Sequence, residues 1–373
     1  MWQVVNHTPF ETAGYFLRDA HGVEHWMVAM RLTLDLPSAG LPLLAEPQQP
    51  VSLLPVFDAS GEEMLEGSDL VPFRPHCDIL LRGTATPQRD RPVLSFPVSL
   101  SVGRSERTIH CHGPRRLVRT RFGHRTEALG HAADPPLAWR QATGGRDVAA
   151  DSDQEGAAHP DNPIGTGWSA DPGRMNRGDE IMLAPLDDTS HLGARPASLP
   201  EPVGLGAIAP FWHSRRKLAG SYDEHWARTR CPLPPTDFYP AFHQSAPVGQ
   251  RADLRGGEPV QVRNAGGGPS LELRVPQIIS EVRTRIGHAT LTSRMRLITF
   301  AIDAQDRRAT LVWNTAVPCP GQDDRLSEST VLLSPAAGLV MACRPASRAL
   351  VPSPLWAAAC GRLSLPWTTA RLG

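Results

Sequence analysis

Lysine is almost missing from this chain: Lys217 is the only one, so 37 of the 38 basic residues are arginine. Tyrosine is nearly as scarce, with three residues, Tyr15, Tyr222 and Tyr239. Net charge is missing too, because 38 basic residues balance 38 acidic ones in 373. A balanced chain has no overall field to draw it to nucleic acid or to a membrane surface, so either role needs a local patch. No apolar run approaches the ~18 residues of a membrane-crossing helix. The opening MWQVVNHTPF has no basic start followed by an apolar core, so no signal peptide is expected. The six cysteines, Cys77, Cys111, Cys231, Cys319, Cys343 and Cys360, contain no C-x-x-C pair. Together these features predict reduced thiols and a cytoplasmic protein.

Catalytic signatures are absent as well. The chain has no G-x-S-x-G, no G-x-x-x-x-G-K-[ST], no H-E-x-x-H and no G-x-G-x-x-G. That removes the common serine hydrolases, P-loop enzymes, zinc proteases and dinucleotide-binding folds.

Proline is what the chain has in excess. Its 37 prolines in 373 residues are about twice the usual ~5%, and proline breaks helices and marks loops and strand ends. The length exceeds the ~250–300 residues at which a single core stops growing, which predicts two lobes. YFLRDAHGVEHWMVAMRLTLDL reads as a hairpin turning at residues 19–22. In its second strand Trp26, Val28, Met30, Leu32, Leu34 and Leu36 alternate with Arg31, Thr33 and Asp35, which predicts one buried and one wetter face. PVLSFPVSLSVG alternates likewise, with RTIHCHG and RRLVRTR as expected partners. Residues 131–202 show no period of either kind. SYDEHWARTR predicts a short helix capped by Ser221 with Glu224 three residues on, stopped by Pro232. TDFYPAFHQSA predicts another short turn, and strands return in SLELRVP, IISEVRTRI, RLITFAID, ATLVWN and STVLL…GLVMACRP. The expected fold is mainly β: two β-rich lobes of sandwich-like antiparallel sheets, 1–130 and 203–373, joined by a long irregular region, 131–202, with a few short helices.

Four stretches could carry chemistry. His110 and His112 in HCH share one face of a strand and could hold an ion. No further ligands follow at a recognisable spacing. Alternation with Ile109 and Cys111 puts both imidazoles on the wet face, so no metal is expected. PRRLVRTRFGHR gathers Arg115, Arg116, Arg119, Arg121 and Arg125, whose planar forks suit phosphate. The balanced charge favours a solvated strand face neutralised by Asp147, Asp151, Asp153 and Glu155, with no nucleic-acid partner. YDEHW puts carboxylates beside a histidine, as proton transfer requires. Adjacent helical residues do not face each other, however, and a helix packing Tyr222 and Trp226 inward explains the same letters. In SDLVPFRPHCDILLRGTATP, Asp69, His76, Cys77 and Asp78 lie close together. Here Asp69 reads as a cap on its own turn, with Pro72 and Pro75 holding the chain extended. A strand then starts near His76, and Gly83 permits a bulge or a close backbone approach.

That last stretch resembles a segment, SDL-x-P-x-K-P-x-x-D-hydrophobic-x-x-G-x-A-x-P, of a bacterial family catalogued as domain of unknown function 2169. NHTPFETAGYFLRDAHG is similar to its N-terminal strand pair, and NPIGTGW, residues 162–168, to its N-P-x-G-x-G-aromatic motif. PVGLGAIAPFWHSRRKLAGSYDEHW and PLPPTDFYPAFHQSAP resemble two further elements in the same order. Arg74 stands where the family has lysine, Arg140 and Thr143 where it has a glutamate and an aromatic, and Trp313-Asn314 where it has Trp-Arg. The resemblance implies a non-enzymatic adaptor or chaperone that holds a type VI secretion effector and delivers it to the spike protein or its PAAR-type tip. It implies no cofactor and no membrane partner. Trp168, Trp212, Tyr222 and Trp226 lie in Gly- and Pro-rich segments rather than alternating strands, which marks them for a partner-binding surface. Asp69, Pro75, Asp78 and Gly83 are the structural motif. The competing classes are a hydrolase using His and Asp residues, and a carbohydrate-binding or toxin-neutralising module. Thiol titration of denatured, unreduced protein should count all six cysteines; a count of two or fewer overturns the reduced-thiol reading.

Overall fold

The computed structural model describes residues 2–334 except 39, 73, 88–91, 150–156, 189–198, 269 and 323–324. The expected strand GLVMACRP, Cys343, Cys360, Asp151, Asp153 and Glu155 lie outside the described residues. The fold is mainly β, as the patterning predicts, with the expected hairpin at its centre. Strand Glu24–Asp35 pairs with Glu11–Arg18 on one side and, along eleven residues, with Arg308–Pro318 on the other. The largest sheet runs Arg251–Ala252, Cys77–Arg82, Arg296–Asp303, Arg308–Pro318, Glu24–Asp35, Glu11–Arg18, with Leu43–Leu44 also on Glu24–Asp35. A five-stranded sheet orders Leu186–Asp187, Ser105–His112, Ser95–Val102, Pro259–Arg263 and Leu271–Arg274. A four-stranded sheet orders Gln3–Asn6, Leu326–Leu333, Ser280–Ile286 and Ala289–Arg294.

Each of these sheets mixes strands from before residue 131 with strands from after residue 202, so the three-part division along the chain does not separate one sheet from another. Nor are the sheets purely antiparallel. Cys77–Arg82 runs parallel to Arg296–Asp303, and Gln3–Asn6 parallel to Leu326–Leu333. RTIHCHG pairs with the Ser95–Val102 strand as expected, but RRLVRTR joins a separate small sheet with Gly123–Ala128 and Glu180–Met182. One apolar cluster joins Val28, Leu32, Ile79, Phe300 and Leu311 of the largest sheet to Val98, Ile109 and Val260 of the five-stranded one.

The wetter face expected of Glu24–Asp35 is not wet. Every residue from His25 to Leu34 is buried. Residues 45–69 cover the polar side and supply its partners. The Gln48 amide bonds the backbone N–H and carbonyl of Thr33, both at 2.8 Å. Arg31 donates to Asp69 and Glu66 at 2.9 Å and to Gln49 at 3.0 Å. Asp69 also accepts from the Ser52 N–H at 2.8 Å. It therefore ties the covering loop to a central strand instead of capping its own turn.

His112 departs from expectation for the same reason. His110 is half-buried, and His112 is buried because Leu186–Asp187 pairs along that edge. His112 Nε2 lies 3.0 Å from Asp187 Oδ1, and the Arg115 guanidinium holds the other carboxylate oxygen and, at 3.0 Å, the Ala184 carbonyl. Burial alone would raise the Asp187 carboxyl; the His112 hydrogen bond and the Arg115 charge hold it down at about 2. Asp187→Ala strands two buried bases, and breaking such a cluster costs about 3–5 kcal/mol, readable in urea unfolding. The folded carboxyl titrates below its ordinary 3.8. The wild-type advantage over this variant should therefore be complete above pH 4 and fade as pH falls towards 2.

Candidate partner-binding surface

Asp78, the second residue of strand Cys77–Arg82, is fully buried. A buried carboxylate must be paired and hydrogen-bonded. It accepts from the backbone N–H of Ser245 at 2.6 Å, the Ser245 hydroxyl at 3.0 Å and the Gln244 amide at 3.3 Å. Arg74 lies 3.6 Å away. Arg74 donates to the carbonyls of His243 at 2.9 Å, Ser68 at 3.3 Å and Ile298 at 3.4 Å, and to the Thr299 hydroxyl. A lysine has one nitrogen and could not span these acceptors, whereas the guanidinium fork can.

Arg215 grips the same turn from the other side. Its Nε and Nη2 meet the Phe242 carbonyl at 3.0 and 2.7 Å, and Nη1 meets the Ile208 carbonyl at 2.7 Å. Its guanidinium sits 5.4 Å over the Phe242 ring. Burial draws its pKa down to about 10, with Asp78 opposing, so it stays charged at neutral pH. Pro75 is half-buried in the extended approach to the strand. Gly83, at φ +141, lies so near Ala304 and Gln305 that a Cβ would sit 3.2–3.3 Å from them, the close approach its position predicts.

A second cluster gathers the glycine-rich motifs. The buried Asn162 amide donates to the carbonyls of Trp139 and Thr143, both at 2.9 Å. A Cβ on Gly144 would lie 2.3 Å from the Asn162 carbonyl oxygen, and one on Gly165 2.5 Å from that of Ala142. Only glycine lets these backbones approach so closely. Trp139 packs edge-on against Trp212 with ring centres 5.4 Å apart, and the His213 N–H reaches the Pro160 carbonyl at 3.0 Å. Trp212, marked in the sequence as a contact residue, is 1% exposed and lies in the core. It supports the segment from beneath. Arg140 pairs with Asp58 at 2.9 Å and Glu62 at 3.0 Å, fixing the hairpin of Val56–Phe57 and Met64–Glu66. Asn314, at the family's arginine position, donates to the Val71 carbonyl at 3.0 Å.

Above these two clusters, residues 211–243 present aromatic rings outward. Phe211, Tyr222 and Tyr239 are 50%, 57% and 59% exposed. Phe211 stacks on Phe57 at 6.1 Å, beside exposed Leu53, Leu54 and Val56. Tyr222 meets half-buried Trp226 edge-on at 4.7 Å, and the Trp226 indole N–H donates to the Leu233 carbonyl at 2.8 Å. The helix Glu224–Thr229 forms as predicted, but Asp223 caps it, accepting from the Trp226 N–H at 2.8 Å. Ser221 instead binds Asp237 through its hydroxyl and N–H, at 2.8 and 3.0 Å. Tyr222 therefore faces out, against the inward packing expected for YDEHW. Trp168 is half-buried, edge-on to His159 at 5.0 Å.

Within the arginine-rich stretch Arg116 pairs with Glu127 at 3.1 Å and Glu180 at 2.6 Å, Arg125 pairs with Glu127, and Arg115 with Asp187 of the five-stranded sheet; the expected partner Asp147 is in none of these pairs. Among the described residues no group of three or more His, Cys, Asp or Glu side chains is placed to hold a metal. No helix of those residues is long and apolar enough to cross a membrane.

A family model described as "Uncharacterized protein conserved in bacteria (DUF2169)" matches residues 21–314. The chain belongs to this family. No curated protein and no solved structure matches it. The DUF2169 match spans the Asp78 cluster, the Asn162 cluster and every aromatic of the outward face. The sequence singled out Asp78, Gly83, Tyr222 and Trp226, whereas Arg215, Asn162, Phe211 and Tyr239 entered only as letters of the family-like motifs. The W-x-x-R spacing of Trp212 and Arg215 was the available signal for the first of these.

Buried and exposed aromatics should separate on mutation. Trp212→Ala should cost about 3–5 kcal/mol of stability, as for other fully buried large aromatics. Tyr222→Ala should stay within about 0.5 kcal/mol of wild type, as surface changes usually do. Paired chemical denaturation curves measure both.

Proposed function

We propose that this chain is a non-enzymatic adaptor or chaperone that binds a type VI secretion effector and loads it onto the spike protein or its PAAR-type tip. The observation that carries this reading is the outward aromatic face of residues 211–243. Large aromatics dominate interface energetics, and they sit here on a segment of short helices and turns. Left to itself such a segment would be costly to order on binding. The Arg74, Arg215 and Asp78 cluster and the Trp139–Trp212 contact order it beforehand, which reduces that cost. Tyr222 and Trp226 are the proposed central contacts, extended by Phe211, Tyr239 and Trp168, with Trp212 as the support below. In this role the chain works in the cytoplasm of the producing cell, before secretion.

The test is affinity for the effector encoded beside this chain, measured by titration calorimetry. Truncating one central contact costs about 2 kcal/mol, which at ~1.4 kcal/mol per tenfold is roughly a thirtyfold loss. Tyr222→Ala should show that loss with an unchanged melting curve, and Tyr239→Ala a smaller one. Full affinity in a Tyr222→Ala, Tyr239→Ala double variant places the contact elsewhere.

A further inference from the structure

The turn that both arginines grip also carries a histidine. The His243 carbonyl accepts from Arg74 at 2.9 Å, and its ring packs 5.3 Å from Phe238 and 5.7 Å from Phe242. The charged groups around the turn are unevenly matched. Arg74 comes from the extended approach to Cys77–Arg82, Arg215 from the helix His213–Arg216, and Arg251 from the short strand Arg251–Ala252. Arg251 Nε bonds the Ala246 carbonyl at 2.8 Å. Against these three cations stand two buried carboxylates, both already engaged: Asp78, whose oxygens are occupied by Ser245 and Gln244, and Asp69, which lies near Arg74 but is held by Arg31 and the Ser52 N–H. At the exposed rim, His76 and Asp253 pair at 3.1 Å, with Arg296 4.0 Å from Asp253. A proton on His243 makes a fourth cation at a turn whose nearby buried carboxylates, among the described residues, are already engaged.

We propose that His243 is an acid-operated latch: protonation of its ring from solvent loosens the grip of Arg74 and Arg215 on the turn at 242–245 and releases residues 213–243 while Trp212 and the sheets stay folded. Burial first, and then the charges of Arg74 and Arg215, lower the imidazole pKa from 6.5 to about 4. The folded pKa lies below the unfolded one. The stabilisation is therefore complete above pH 6.5 and is lost as pH falls through about 4. Within that window each unit of pH raises the opening constant by at most about tenfold. Opening is local because the gripped contacts belong to the turn, while Trp212, just before the segment, stays packed in the apolar cluster that also holds the sheets. Protein opens in cooperative sub-units of different stability, and a segment tied by a few polar contacts opens before a core strand.

Two measurements decide it. The His243 ring should titrate by NMR with a midpoint near 4. Hydrogen exchange, corrected for its intrinsic pH dependence, should show residues 213–243 opening progressively between pH 6.5 and 4.5 while 24–35 and 308–318 stay protected. His243→Asn cannot take a proton and should flatten that dependence. A midpoint near 6.5, simultaneous opening of segment and sheet, or an unchanged pH dependence in the variant overturns the proposal. If the variant does not fold, the wild-type titration and exchange alone decide. Loss of effector affinity in the same window would follow only if the adaptor reading holds; the exchange result stands without it.

Discussion

Burying the carboxylate of Asp78 constrains much of what surrounds it. An ionised carboxylate removed from water is tolerated only with a full set of donors and a counter-charge. The donors come from Gln244 and Ser245, far along the chain, and the counter-charge from Arg74. Arg74 then needs acceptors for its own N–H groups and takes them from backbone carbonyls on three separate segments. Arg215 repeats the device on the next carbonyl of the turn. One buried charge thus fixes the relative position of a strand, a turn and a helix that share no sheet pairing.

The same logic accounts for the irregular parts of the molecule. Backbone N–H and C=O groups outside sheets and helices still require partners when buried. Side chains supply them here: Asn162 for the carbonyls at 139 and 143, Gln48 for both groups of Thr33, Gln250 for the carbonyls of Ile79 and Leu205. Arginine, with five donors in a planar fork, suits this work better than lysine. The near absence of lysine matters little to such a frame. Glycine serves where two backbones must nearly touch, and proline holds the segments between them extended.

Period-two alternation made the central hairpin legible from its letters, and the turn at residues 19–22 fixed its hand-over. The strand from Cys77 was legible because prolines precede it and Gly83 follows. Alternation says which residues share a face; it does not say what will lie on that face. Arg31 and Thr33 read as solvated and are buried because a loop from another part of the chain covers them. His112 is the same case, covered by a two-residue strand too short to announce itself. Ser221 and Asp223 both carry an oxygen suited to capping, and the choice was settled by Asp237, fourteen or more residues away, which takes Ser221 for itself. The parallel pairing of Cys77–Arg82 with Arg296–Asp303 left no local trace, since its partners are separated by most of the chain.

That pairing bears on how the protein is made. During synthesis the chain emerges from its amino terminus, yet Glu24–Asp35 and Cys77–Arg82 are kept apart in the finished sheet by two strands that end at Pro318. Until those two emerge, the early strands have no neighbours to close the gap between them, and their apolar faces and open edges stay available to other chains. Long-range pairing of this kind also slows folding, because the loop must close before its contacts form. A ribosome-bound chain of this design has to be protected until Pro318 has emerged, because only then can its central sheet be completed.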